Sequence, residues 1–338
     1  MPLMHFVIGG YGPSLGVVVL DEAGRGPVSA VADAQGASWV LPSADGRFAY
    51  AALEAAEGHV GAWAVTSDGP WHALGRQSTG GADPCHLTFS PGGGWLLAAN
   101  YTSGSVSVHP LLDDGSIGGR TDLVEHSGDL GPVSDRQDHA HAHQVAFAPD
   151  GTLLVCDLGL DVVVAYGFDA GEGRLTELAR SPFPPGTGPR HLVLTAAGRT
   201  AYVLGELSSA VSVCRVDGPR LEVLATESAR SGGAVGENTA AEIFLAADER
   251  TVVASNRGDD TLSTLAVDAH TVRLLSVDAC GGAWPRWAGP GAAGDVLLVA
   301  NERSDSVVTL RRDGDRWAPT GSVTWPSPTC VAPLTSPL

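Results

Sequence analysis

Residues 87–108 read LTFSPGGGWLLAANYTSGSVSV. The segment consists of an apolar run, a Ser-Pro-Gly turn, a second apolar run, a short polar loop and a final Ser-Val-Ser-Val stretch. Alternation of polar and β-branched residues with period two predicts a strand with one buried face. Pro and Gly between apolar runs predict tight turns. The segment therefore predicts three consecutive antiparallel strands.

The same unit recurs along the chain, with turns such as Asp45-Gly46 and Asp150-Gly151 in place of the Ser-Pro-Gly turn. The other copies cover residues 39–53, 145–166, 192–213, 243–265 and 287–310. Their turns lie about 50 residues apart, which is within the range of propeller blades. No window has a sustained apolar stripe with the period of a helix, so we expect few helices.

The two ends of the chain complete the count of blades. Residues 6–10 and 16–20 predict a hairpin without an inner or an outer partner, and residues 322–331 can supply a strand to it. We therefore predict an all-β fold: a seven-bladed β-propeller of four-stranded antiparallel blades, closed by N- and C-terminal strands. The prediction treats residues 1–338 as a single domain. Residues 111–138, acidic and rich in Gly, are predicted to form a surface loop outside the repeat.

Composition excludes several classes of function. The 338 residues carry a formal net charge of −18 and include no lysine. Schiff-base enzymes and P-loop nucleotidases both need a lysine, so neither class fits. The acidic balance also argues against nucleic acid or an anionic membrane as a partner.

The termini and cysteines predict a cytoplasmic protein. The N-terminus lacks a basic region followed by a long apolar run, and no apolar stretch approaches the roughly 18 residues of a membrane span. The five cysteines are scattered, and none forms a C-x-x-C pair. We expect them to be buried, unpaired and not metal-bound.

Aligning the repeats places polar residues at two equivalent heights around the predicted channel. In a propeller the first strand of each blade lines that channel, and the loops at one rim form a shared pocket. One set lies just before the inner strand: Cys85, His143, Arg190, Ala241 and Arg286. The other follows the second strand: Glu54, Tyr101, Leu158, Glu206, Arg257 and Glu302. Positions that only pack blades together would be apolar, so these sets predict a site at the channel mouth, with solvated loop charges as the alternative.

Several segments in these positions resemble the lactonase family of seven-bladed propellers, and the resemblance covers nearly the whole chain. That family includes a bacterial 6-phosphogluconolactonase and a fungal carboxy-muconate cyclase. The segments are Pro84-Cys85-His86-Leu87, residues 100–108, His141-Ala142-His143-Gln144-Val145, Gly188-Pro189-Arg190-His191-Leu192, residues 205–209, Ala241-Glu242-Ile243, Ser255-Asn256-Arg257-Gly258 and Val299-Ala300-Asn301-Glu302.

The resemblance implies a metal-free, cofactor-free site built from a histidine, two arginines and a glutamate. Carried over by motif, the catalytic residues are His143, Arg190, Glu206 and Arg257. Residues predicted to contact the substrate are His141, Gln144, Glu242, Arg286, Trp287 and Glu302. The chain departs from the family pattern at Ala140, where proline is common, and at Trp287, where phenylalanine is usual.

The residue types suit the opening of a small anionic lactone. Guanidinium groups can stabilise a tetrahedral oxyanion and can also hold a phosphate or carboxylate. Either Glu206 or His143 could deprotonate water if its pKa lies near neutrality. Two alternatives stay open from the sequence: a cycloisomerase of the carboxy-muconate type, and a non-catalytic propeller that binds a ligand or a protein.

Overall fold

The fold is described from a computed structural model that covers residues 4–21, 24–66, 69–291 and 293–334. The described residues contain 28 β-strands and one short 3₁₀ turn, Glu302–Ser304. Among them, no helix has the length and apolarity needed to cross a bilayer. The all-β prediction is confirmed.

The strands, numbered along the chain, form seven four-stranded antiparallel blades. The inner strands are β4 (Ala37–Pro42), β8 (Pro84–Phe89), β12 (Ala142–Phe147), β16 (Pro189–Leu194), β20 (Thr239–Leu245), β24 (Pro285–Pro290) and β28 (Pro328–Leu334). The second strands are β1 (Met4–Gly10), β5 (Phe48–Leu53), β9 (Trp95–Asn100), β13 (Leu153–Asp157), β17 (Thr200–Gly205), β21 (Thr251–Arg257) and β25 (Val296–Asn301). The third strands are β2 (Ser14–Leu20), β6 (His59–Ala64), β10 (Ser105–Pro110), β14 (Val162–Asp169), β18 (Ala210–Asp217), β22 (Thr261–Val267) and β26 (Ser306–Asp313). The outer strands are β3 (Val28–Asp33), β7 (His72–Ser78), β11 (Asp122–Glu125), β15 (Arg174–Pro182), β19 (Arg220–Ser228), β23 (Val272–Ala279) and β27 (Arg316–Thr324).

The first blade is assembled from both ends of the chain. Strand β28 pairs with β1, with Val331 opposite Ile8, and β1 continues to β2 and β3. The predicted closure is therefore confirmed, but the closing strand begins later than residue 322. Residues up to Thr324 belong to the outer strand of the seventh blade, because Pro326 and the left-handed backbone of Ser327 separate it from β28.

Tight turns between the inner and second strands set the repeat. Gly46 and Gly151 adopt positive φ angles of 67° and 89°, which a side chain would strain. The apolar faces of neighbouring blades then meet in six buried clusters. Five of them each join one pair of successive blades, and the largest joins blades 7, 1 and 2. All five cysteines are buried and free, as predicted.

Candidate functional site

A one-residue shift in strand pairing occurs near the start of every inner strand. At each shift the inner strand carries one residue more than its neighbour, which is the pattern of a β-bulge. We call the bulged positions the bulge ring: Ser38, Cys85, His143, Arg190, Ala241, Arg286 and Thr329. Five of these were predicted to lie just before the inner strand, and they lie inside it instead. Because a bulge redirects a side chain, the seven bulged side chains occupy equivalent positions around the axis while the inner strands stay paired.

A second ring of residues stands where the second strand of each blade ends. This rim ring comprises Tyr11, Glu54, Tyr101, Leu158, Glu206, Arg257 and Glu302. Tyr11 was not identified from the sequence, because the inner strand of its blade comes from the other end of the chain. Its hydroxyl donates a hydrogen bond to Glu54 at 2.9 Å, and Arg286 lies 5.1 Å from the centre of its ring.

A small cavity lies on the axis between the two rings. It is lined by Ser38, Trp39, Glu54, Cys85, His143, Arg190, His191, Arg286 and Thr329. Its volume is about 10 Å³, which is the space that one water molecule needs. The cavity is therefore too small for a ligand larger than a water molecule.

Three arginines converge on the buried carboxylate of Glu206. Nη2 of Arg257 lies 2.8 Å from Oε2 of Glu206, and Nε of Arg190 lies 3.0 Å from the same oxygen. The Arg190 contact is an ion pair without an aligned hydrogen bond, since its Nε–H has no acceptor. Nη2 of Arg136 donates to Oε1. Glu206 thus links two other predicted catalytic residues, Arg190 and Arg257, with Arg136, which was not predicted.

The charge of Glu206 is fixed by these neighbours. Burial by itself raises its pKa, but Arg257, Arg190 and Arg136 together outweigh that effect and lower the pKa below its ordinary value. Burial lowers the pKa of Arg257 to about 10, against the opposing effect of Glu206. Both groups are therefore ionised at neutral pH. A carboxylate held in this way is a weak base and keeps its charge as the counter-ion of the three arginines.

Arg136 reaches the site from the long connection between β11 and β12. Its guanidinium also donates to the hydroxyl of Tyr101 at 3.3 Å. The connection is anchored by a buried contact of 2.7 Å between His126 Nδ1 and Asp157 Oδ2. We expected a surface loop here, but residues 122–125 form the outer strand of blade 3, and the following segment carries Arg136 to the mouth. No repeat position marks Arg136, so sequence alignment of the blades could not find it.

His143 is the neutral group of the site. Burial lowers the pKa of His143 well below its ordinary value, and the positive charge of Arg190 lowers it further. Its Nδ1 is buried without a hydrogen-bond partner. The ring of Tyr101 stands edge-on to it at 5.6 Å, and the ring of His191 at 5.0 Å. His143 therefore borders the cavity as an uncharged imidazole.

Glu242 and His191 form a second buried pair behind the cavity. Nδ1 of His191 lies 2.7 Å from Oε1 of Glu242. Burial raises the pKa of Glu242 to about 8, although Arg190 opposes this. Burial also holds the pKa of His191 well below its ordinary value. Near neutral pH the pair is mostly uncharged. His191 lines the cavity, whereas Glu242 does not line it and contacts His191.

The other predicted substrate contacts lie in different environments. Arg286 lines the cavity and pairs with Glu302 at 3.4 Å, and His141 stacks on Tyr101 at the mouth with ring centres 4.2 Å apart. Gln144 uses its amide to connect blades 4 and 5, accepting from the backbone N–H of Leu192 at 2.7 Å.

Trp287 does not line the cavity. It is 9% exposed and packs in the core cluster shared by blades 7, 1 and 2. Its neighbour Trp284 lies at the mouth instead, with the guanidinium carbons of Arg257 and Arg303 at 5.7 and 3.4 Å from its ring.

The two arginines predicted to be catalytic are less accessible than Arg286 and Arg136. The side chains of Arg190 and Arg257 are 4% and 6% exposed, whereas those of Arg286 and Arg136 are 19% and 34% exposed. Of the four arginines around Glu206 and the cavity, Arg136 and Arg286 are therefore the more accessible to solvent. Within the described residues, one group has the composition and spacing to hold a metal ion, namely Asp138, His139 and His141, beside the mouth.

Comparisons with known proteins agree with this architecture. A 6-phosphogluconolactonase of Bacillus subtilis is 31% identical over 290 residues, which cover 82% of each chain. The solved structure of a periplasmic gluconolactonase from Pseudomonas aeruginosa is 30% identical, with a TM-score of 0.90 and coverage of 99% of this chain and 100% of that one. A solved protein from Lactobacillus plantarum is 28% identical, with a TM-score of 0.92 and coverage of 98% and 99%.

The family model described as "Lactonase, 7-bladed beta-propeller" matches residues 8–333. The match spans all seven blades and includes the predicted catalytic residues. The chain therefore belongs to the seven-bladed β-propeller lactonase family.

Proposed function

We propose that the protein hydrolyses the ester bond of a small anionic sugar lactone at the mouth of the axial channel. The family supports lactone hydrolysis, as do the relatives from B. subtilis and P. aeruginosa named as a 6-phosphogluconolactonase and a gluconolactonase. The observation that carries the proposal is the neutral imidazole of His143, which borders a water-sized cavity together with Arg190 and Arg286.

His143 acts as the general base in this proposal. The oxygen of a water molecule attacks the lactone carbonyl carbon while the imidazole takes its proton, and the carbonyl electron pair moves onto oxygen. The C–O bond to the ring oxygen then breaks, and the departing oxygen takes the proton from the imidazolium. One water is consumed and a hydroxy acid is released. Positioned bases of this kind contribute about 10²–10⁴-fold to a rate.

The arginines supply the positive charge. Arg286 and Arg136 are the exposed ones, so we assign them to the anionic group of the substrate and to the oxyanion. Glu206 holds Arg136, Arg190 and Arg257 in place and keeps them charged. Arg136, Arg190, Arg257 and Arg286 thus gather positive charge at one site in a protein of net charge −18. A cytoplasmic location stays a prediction, since one relative is named as periplasmic.

The experiment compares hydrolysis of 6-phosphogluconolactone, uncharged gluconolactone and carboxy-muconate by the wild-type protein and by His143→Gln. We expect turnover of a lactone, with kcat reduced by about 10²–10⁴-fold in His143→Gln and an unchanged Tm. His72→Gln, a change at an exposed outer strand, is the matched control and should keep full activity.

Each alternative has its own outcome in this assay. Cyclisation of carboxy-muconate without lactone hydrolysis would identify a cycloisomerase. Absence of any turnover would favour the binding propeller, although only four large apolar side chains are exposed among the described residues, on four separate segments. Full activity of His143→Gln would refute the assigned base.

A further inference from the structure

Three donor side chains meet at the end of the connection that carries Arg136. Oδ1 of Asp138 lies 2.9 Å from Nδ1 of His139 and 3.1 Å from Nε2 of His141. One ligand atom from each residue lies within 4.8 Å of the other two. Asp138 is exposed and His141 is buried, so the cluster is half embedded and open to solvent on one side.

The other nitrogen of each imidazole faces a backbone carbonyl. Nε2 of His139 lies 2.6 Å from the oxygen of Thr102, and Nδ1 of His141 lies 3.1 Å from the oxygen of Tyr101. A carbonyl oxygen only accepts, so both of these nitrogens carry a proton. Each imidazole therefore turns one nitrogen toward a backbone carbonyl and the other toward the carboxylate of Asp138. The two nitrogens and the carboxylate oxygen converge on one point, which is the arrangement that a shared cation requires.

The arrangement has the features of a zinc site. Histidine ligands of metals usually donate their second N–H to a carbonyl or carboxylate, which fixes the ring. Zinc bonds of about 2.0–2.1 Å in a tetrahedron separate ligand atoms by about 3.3 Å. The two distances to Asp138 Oδ1 need to lengthen by only a few tenths of an ångström, and the two histidine nitrogens lie within 4.8 Å of each other. Two imidazoles and one carboxylate form a ligand set that zinc accepts, with the fourth position left to solvent. The net charge of −18 favours a cation.

We propose that Asp138, His139 and His141 bind one divalent metal ion of the zinc class. The ion fixes both imidazoles, and their second nitrogens hold the end of the long connection against the turn at Tyr101 and Thr102. His141 stacks on Tyr101, and the hydroxyl of Tyr101 accepts from Arg136, so the ion also holds Arg136 over the mouth. Binding of the metal is independent of the proposed function, whereas its effect on turnover rests on that function.

The test uses full-length protein purified without a histidine tag and stripped with EDTA. Binding of Zn²⁺ is measured by competition with a chromophoric chelator, and Co²⁺ reports the ligand geometry through its visible spectrum. We expect one ion per chain, a tetrahedral Co²⁺ spectrum, and an affinity at least 10-fold lower in His139→Ala. At a free zinc concentration of about 100 Kd, the Tm of the wild type should rise by about 4 °C.

Two controls separate this site from adventitious surface binding. His72→Ala removes an exposed histidine elsewhere and should leave the affinity unchanged. Metal-free His139→Ala should have the Tm of the metal-free wild type, since this histidine lies in an exposed loop. Equal affinities in the wild type and His139→Ala, or an equal loss in His72→Ala, would overturn the proposal. Metal binding without lactone turnover would refute the proposed function and leave the metal site standing.

Discussion

Replacing Glu206 by Gln keeps the shape of the side chain and removes the charge that three arginines share. Arg190 and Arg257 are almost fully buried, with 4% and 6% of their side chains exposed. Neither can turn outward to water without leaving its backbone partner, Ala241 or Ala240. Arg136 is 34% exposed and can rotate into solvent. The cost of the change therefore falls on the two buried guanidinium groups.

Removal of one partner from a buried ion pair typically destabilises a protein by about 3–5 kcal/mol. Unfolding entropy of about 2.1 cal/mol/K per residue gives about 0.7 kcal/mol/K for this chain. The expected fall in Tm of Glu206→Gln is therefore about 4–7 °C. The variant should still fold, because a typical net stability is about 5–15 kcal/mol.

Thermal unfolding followed by circular dichroism measures this difference. Glu222→Gln is the matched control, because Glu222 pairs with Arg215 at the surface and both side chains are more than half exposed. The Glu222→Gln change should lower the free energy of unfolding by less than about 1 kcal/mol. The pKa of Glu206 lies below its ordinary value of 4.5, so its stabilising effect is complete above that pH and is lost as the pH falls below it. The difference in Tm between the wild type and Glu206→Gln should therefore be constant near neutral pH and decrease in acid.

A Tm of Glu206→Gln equal to that of the wild type at neutral pH would refute this reasoning. It would mean that the buried arginines do not depend on Glu206 for their counter-charge. A gap that grows as the pH falls would refute the assigned direction of the pKa shift.

Three further predictions follow from single groups. The pKa of Glu242 is raised to about 8, so the folded state holds a proton that the unfolded state loses above its ordinary value of 4.5. The contribution of Glu242 to stability should therefore fall by about 1.4 kcal/mol per pH unit between these values, so the difference in unfolding free energy between the wild type and Glu242→Gln should change with that slope in urea unfolding. Arg136→Met should raise KM for a phosphorylated lactone about 10-fold, a change of about 1.4 kcal/mol, with little effect on KM for an uncharged lactone. Arg174→Met, at an exposed strand, should change neither KM. Equal effects of Arg136→Met on both lactones would contradict the assignment. Val331→Asp places a charge in the buried closing strand and should lower the free energy of unfolding by about 4 kcal/mol or more. The Thr324→Asp variant, changed on the exposed outer strand of blade 7, should have the unfolding free energy of the wild type.

Much of the site could be predicted because the fold repeats. Each copy of the unit places the residue after its second strand at the same height, so Glu54, Glu206 and Glu302 share one rim although they are far apart in the chain. The same rule applied to the hairpin at the N-terminus would have found Tyr11. It was missed because its blade borrows an inner strand from the C-terminus, so the segment did not align with the other copies.

Arg136 could not be found in this way. It lies in a connection without a repeat, and tertiary contacts such as the one between His126 and Asp157 bring that segment to the mouth. The position of Trp287 depends in the same way on strand pairing. The bulge at Arg286 directs that side chain to the axis, and the side chain of Trp287 turns into the core. The apolar periodicity of the sequence does not predict where a bulge lies, so it does not predict this orientation.

The sequence by itself determined the number of blades, the closed ring and the chemical types that meet at its mouth, because alternation and turn residues act locally and recur. Tertiary structure alone decided which charges touch. The pKa of Glu206 and the neutral state of His143 both depend on burial and on groups from other blades, and the distance between such groups is set by packing rather than by sequence separation. We propose His143 as the base because Glu206 is the counter-charge of three arginines in the folded structure, where the sequence had left Glu206 and His143 equally open.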